Sequence, residues 1–232
     1  MVSSIKNQKT KFRNAITVFA LLSLFSLSGC AIFATLARVV PKIVPAVYPG
    51  LKGKDVAVMV WADRAISIDW PAMSIDITAT TQKKLLAAQT TDKPDELEGT
   101  TFPVTAQSMA RFQMDHPEAE VMPITQVAPI VGVKRLIYVE ITNFQTRSDL
   151  AVNTDLYRGQ ITANLKVVEF EDGKAKIAYE ESKITALFPK KGPSDGVLNL
   201  GDAKTYVGTV DAFTTKLALK FFKHEEDREV GE

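Results

Sequence analysis

The sequence predicts an α/β (α+β) domain: a small mixed β-sheet of about four strands with helices packed on it, in the order strand, three helices, three strands, helix. Three observations carry this expectation. Asp55 to Trp61 is an unbroken apolar run after its first residue, the signature of a strand buried on both faces. From residue 156 to 170 the chain alternates, with Ile161, Ala163, Leu165 and Val167 set against Gln160, Thr162, Asn164 and Lys166, and it runs into an Asp172-Gly173 turn. Tyr206, Val210, Phe213, Leu217 and Phe221 recur at helical spacing and form the clearest helical stripe in the chain.

The N-terminus stands apart from that domain. Residues 1–14 hold Lys6, Lys9, Lys11 and Arg13 and no acid, and Ala15 to Leu27 is apolar except for Thr17, Ser23 and Ser26. A cationic stretch followed by so short an apolar one has the form of a signal peptide, because a helix crossing ~30 Å of hydrocarbon needs about 20 residues. Leu27-Ser28-Gly29-Cys30 comes next: an apolar residue, two small ones and the only cysteine of the chain. This string resembles the lipobox of bacterial lipoproteins. The resemblance implies cleavage of a signal peptide spanning 1–29 and lipidation of Cys30 on its sulfur and its new amine. Several acyl chains hold durably because each buried methylene adds ~0.8 kcal/mol. Ala31 in place of an Asp implies release to the outer membrane, and so a lipid-anchored protein of the cell envelope on the periplasmic face. Two other readings stay open: an uncleaved span over residues 15–36, or an ordinary secretory signal with a chance cysteine.

Charge narrows the function classes. Lys and Arg total 28 against 27 acids, but beyond residue 29 they fall to 24, a net charge of −3. That lacks the clustered basic footprint of a nucleic-acid binder, so no nucleic-acid partner is expected. One Cys and two His exclude a disulfide framework and most zinc sites, and no metal or cofactor is expected.

The elements follow in order. Residues 30–49 carry the lipidated Cys30 and then Pro41, Pro45 and Pro49, which bar a continuous helix and make the segment a tether. The domain is expected over 50–223. After the first strand, Trp70-Pro71 opens a helix with Met73, Ile77, Leu85 and Ala88 on one face. Gln89 to Thr101 should be an exposed loop. Phe102-Pro103 opens a second helix, with Val104, Met109 and Phe112 on one side, that ends before His116-Pro117. A short third helix covers Ile124 to Ile130, and Gly132 ends it. Leu136 to Ile141 is the second strand, parallel to the first across the helical crossover. The alternating strand pairs with a return strand from about Ala175 to Phe188, with Ile177 and Tyr179 expected on one face and a bulge at Glu180-Glu181. Pro189 to Gly201 is a loop, Asp202 a cap for the last helix, and residues 224–232 a charged tail.

Val56 to Val60, then Val131-Gly132-Val133-Lys134-Arg135 leading the second strand, then Val167 to Gly173 closing on the hairpin turn, give a second resemblance. The order and these strings look like the bacterial envelope domain shared by the TolB N-terminal region, the curli-secretion lipoprotein and the lipoprotein activators of peptidoglycan synthases. Lys134 stands where that group has an Asp, and Glu169 replaces the Asp before the turn. The resemblance implies a non-catalytic binding, scaffold or assembly factor of the envelope, with the membrane and an envelope protein as partners. A subunit of an outer-membrane secretion or transport complex is the alternative.

A search for chemistry leaves one enzymatic alternative. Asp63, Asp69 and Asp76 cluster after the first strand, where open α/β sheets bind ligands, and could serve a carboxylate-dependent hydrolase. The same acids equally suit a solvated loop and a helix N-terminus. No catalytic residue is expected. His116 and His224 read as surface residues, Lys190-Lys191 as a solvated pair, and Trp61, Trp70 and Tyr138 as core or core edge. The hairpin of residues 156–188 is long enough to enter a membrane, but Lys174, Lys176, Glu180 and Glu181 oppose that. Recognition is assigned to the loops Gln89 to Thr101 and Pro189 to Gly201, or to strand addition at the hairpin edge.

Overall fold

The structure, a computed structural model, describes residues 42–147, 155–190 and 196–226. Cys30, Leu27, Ser28 and Gly29, the signal segment, Lys191 and the end of the tail lie outside the described residues. The chain divides into a main unit, Pro45–His224, and a smaller unit of the chain ends. Strands β1 (Lys42–Val44) and β7 (His224–Glu226) pair as a two-stranded ribbon.

The main unit is a mixed α+β fold. Strand β2 (Val56–Ala62) is followed by helices α1 (Arg64–Asp69), α2 (Met73–Thr91), α3 (Ala106–Asp115) and α4 (Ile124–Val131). Strands β3 (Arg135–Arg147), β4 (Leu156–Glu171), β5 (Lys174–Phe188) and β6 (Val197–Leu198) follow, and helix α5 (Asp202–Ala218) closes the order. The sheet runs β2-β3-β4-β5, with β2 and β3 parallel and the rest antiparallel; the short β6 pairs with the start of β4 and makes a fifth strand. That strand and α1 were absent from the expected order: two residues of β6 and six of α1 are too short to show a period.

The sheet separates two cores. On one face α2 and α5 lay Met73, Ile77, Leu85, Val210, Phe213 and Leu217 over Val58, Val139 and Leu165. On the other, α3 and α4 lay Met109, Val127 and Ala128 over Ala57, Met59 and Val168. Strand β2 is therefore buried on both sides, as its unbroken apolar run requires. Gly132 terminates α4 in the left-handed conformation, φ 79°, which a Cβ would disfavour.

Four expectations are corrected. The slips of register on β5 fall at Ala178 and in Ser182-Lys183, on either side of Glu180-Glu181. The extra residue Ala178 reverses the alternation, so Tyr179 pairs with Val167 and Ile177 with Val168, on opposite faces. Asp202 is the first residue of α5 and caps nothing; it accepts from Thr146 Oγ1 at 2.6 Å and pairs with Arg147 at 2.7 Å, while Gly201 holds the N-cap position. The segment Gln89 to Thr101 is fastened down. Leu97 is 1% exposed, and the Gln89 amide donates to the carbonyls of Leu97 and Thr100.

The chain reaches β2 through a strap, Pro45 to Leu51. The N–H groups of Val47 and Tyr48 both donate to the Lys220 carbonyl, at 2.9 and 3.0 Å. The Tyr48 hydroxyl donates to Glu169 at 2.8 Å, and Arg135 Nε donates to the Gly50 carbonyl at 2.9 Å.

Candidate functional site

The parallel pair β2 and β3 ends at the same side of the sheet, and α1 and the turn before α4 leave a groove of about 510 Å³ there. This is the position at which open sheets with parallel strands take ligands. Its volume suits a small molecule or one or two side chains. Trp61 and Asp63 come from the end of β2, Glu120 from the turn before α4, and Tyr138, Glu140 and Asn143 from β3. Among the described residues no Lys or Arg lines it.

Each wall has a local cause. Trp61 and Tyr138 sit where β2 and β3 leave the cover of α3, so each is half-buried against the second core. The Trp61 indole N–H is buried and has no hydrogen-bond partner among the described residues. Gln113 of α3 donates to the Val60 carbonyl at 3.0 Å and pins the helix over the strand end. The Tyr138 hydroxyl is pushed up to about 12 by burial and then by the carboxylates of Glu140 and Glu120. Glu140 is exposed and oriented: Asn164 Nδ2 donates to its Oε2 at 3.1 Å, and Asn164 Oδ1 accepts the N–H of Lys183 at 3.1 Å. Lys183 holds φ 59° at the second slip of β5, which turns its N–H toward Asn164. A relay thus crosses three strands and ends on a carboxylate at the groove.

The three aspartates singled out in the sequence have separate tasks. Asp63 accepts from the Ala65 N–H at 2.8 Å and caps α1, at the rim of the groove. Asp69 is exposed at the end of α1. Asp76 accepts the Tyr206 hydroxyl at 2.6 Å, beside a ring cluster in which Trp70 stacks on Tyr206 at 5.1 Å and Phe144 meets both edge-on. Among the described residues no three His, Cys, Asp or Glu gather as a metal site. His116 packs on Phe112 and lies 3.0 Å from Glu118, and His224 Nδ1 lies 3.1 Å from the Phe222 carbonyl. Among the described residues no helix is long and apolar enough to cross a membrane.

Sequence reasoning weighed Asp63, Asp69 and Asp76 at this end of the sheet, of which Asp63 alone lines the groove, and read Trp61 and Tyr138 as core or core edge rather than as groove walls. Glu140 carried the missed signal, as the one charge inside the apolar run Leu136 to Ile141. Glu120 and Asn164 enter only through tertiary contact and carry no local mark.

The chain matches no protein-family model and no curated protein. Among solved structures it is similar to PelC from Paraburkholderia phytofirmans, solved as a dodecamer, at 9% identity over 78% of this chain and 98% of that one, with a TM-score of 0.41. It is also similar to the lipoprotein GNA1162 from Neisseria meningitidis, at 13% identity over 60% of this chain and 84% of that one, TM-score 0.37. A third likeness is to the hypothetical protein CT253 from Chlamydia trachomatis, at 14% identity over 72% and 92%, TM-score 0.37.

Proposed function

We propose that this chain is a lipoprotein of the cell envelope, anchored through Cys30 on the periplasmic face of the outer membrane, and that its domain is a non-catalytic binding or assembly factor that docks a protein partner in the groove at the carboxyl ends of β2 and β3. The anchor rests on the contiguous cationic, apolar and Leu27-Ser28-Gly29-Cys30 pattern. The docking role rests on one observation, the groove at the carboxyl ends of two parallel strands, with aromatic walls, an amide and oriented carboxylates, all groups that recognise.

Two measurements test it. Labelling of growing cells with palmitate marks the wild type and leaves Cys30→Ser unlabelled; equal labelling sinks the anchor. A photo-crosslinking residue at Asn143, exposed at the groove, captures one recurrent envelope protein in intact cells, and the same residue at exposed Lys204 on α5 does not. The same capture from both positions removes the groove from the reading.

A further inference from the structure

We propose that the groove binds a basic side chain, a guanidinium or ammonium group carried by an extended segment of the partner, with Glu140 as its principal acceptor. The inference rests on the docking reading above and adds the chemistry of what docks. Three features point the same way. Among the described residues the lining is charged in one sense only: Asp63, Glu120 and Glu140 line the groove and no Lys or Arg does, so a cation is the complementary guest. The Trp61 and Tyr138 rings stand among these carboxylates and give the cation a π-surface, an arrangement that favours Arg and Lys heads over neutral groups. Glu140 is also prepared: Asn164 occupies its Oε2, which leaves Oε1 to accept from the guest, and Asn164 is itself held by the Lys183 N–H. A carboxylate fixed before binding loses less freedom when the guest arrives. Glu140 is thus a binding residue and Asn164 a positioning residue.

The test titrates the full chain in detergent micelles with acetyl-Gly-Arg-Gly-amide and with its neutral counterpart, in which citrulline replaces Arg, and follows the Trp61 indole and Tyr138 resonances. The Arg peptide should shift both signals and bind about tenfold more tightly than the citrulline peptide, the discrimination of one hydrogen bond to a charged group. That preference should weaken with added salt. Glu140→Gln should abolish it, and Asn164→Ala should reduce it, each with the core methyl spectrum unchanged. Equal binding of the two peptides, no shift of Trp61 or Tyr138, or an undiminished preference in Glu140→Gln overturns the proposal. The Asn143 crosslink separates the two failures. Capture of a partner together with equal peptide binding leaves the docking reading standing and removes the cation, whereas neither capture nor shift removes both.

Discussion

Arg135 is 5% exposed and its guanidinium is committed on every side: to the carbonyls of Gly50 and Lys134, to Glu171 at 2.8 Å and, more distantly, to Glu169 at 3.6 Å. Lys54 also reaches Glu171, and Lys176 reaches Glu169. Removing a buried charge that others depend on is more harmful than never having it. Because Glu171 is 45% exposed, Arg135→Ala should destabilise by about 2–3 kcal/mol, below the range for fully buried pairs, measured by denaturant unfolding of the full chain. The same groups set an acid limit. The hydrogen bonds from Lys54 and Arg135 bring the Glu171 carboxyl down to about 2. Burial pushes Glu169 up, but Tyr48, Lys176 and Arg135 together bring it below its usual range. Each folded carboxyl binds its proton less readily than the unfolded one. Their contribution is therefore complete above about pH 4.5 and is lost as pH falls toward about 2. A melting temperature that falls across that window in the wild type, and falls less in Glu171→Gln, is the expected result. None of this network is legible in the sequence, where Lys54, Arg135 and Glu169 lie far apart and look like solvated charges.

Helix α5 approaches the sheet more closely than ordinary side chains permit. A Cβ at Gly159 of β4 would stand 1.7 Å from Thr209 Oγ1, and one at Gly208 of α5 would stand 2.4 Å from the Phe188 ring. A glycine inside a helix sacrifices about 1 kcal/mol of propensity, and here the close packing repays it. Gly159→Ala should destabilise by about 2–3 kcal/mol through overpacking. In a double-mutant cycle with Thr209→Ala part of that loss should return, and strict additivity would show that the two do not meet. The segment after α2 makes a second prediction. Leu97→Ala should cost about 2–4 kcal/mol and speed amide exchange over residues 92–100, because that side chain is the segment's anchor in the first core. The period-two pattern of β4 and the stripe of α5 were legible because one sheet face and one helix face set them. The face reversal on β5 was not, since one inserted residue, Ala178, changes the side of residues 179–181, until the second slip at Ser182-Lys183 restores it, without changing the composition. The hold on Leu97 was equally hidden, for a lone apolar residue among Thr, Asp and Glu has no period to announce it.

At the scale of the molecule, one sheet divides two cores of unequal size, and the groove lies where the smaller core ends. Phe213 is fully buried in the larger core, so Phe213→Asp sets an unpaired charge between α5 and the sheet. The expected outcome is loss of the cooperative unfolding transition, whereas Met109→Ala in the smaller core should keep that transition and lower its midpoint by the equivalent of about 2–4 kcal/mol. The strap of residues 45–51 bears on a different property, the response to force. A pull transmitted from the chain before Pro45 arrives at Val47 and Tyr48, whose two N–H groups grip one carbonyl at Lys220. From there the tension divides: through the Lys220 ammonium to Glu181 on β5, through the Tyr48 hydroxyl to Glu169 on β4, and through the Gly50 carbonyl to Arg135 on β3. Three strands share the load: Arg135 and Glu169 take it at the end of the sheet away from the groove, whereas Glu181, level with Leu165 and Val139, carries part of it to the height of the groove wall.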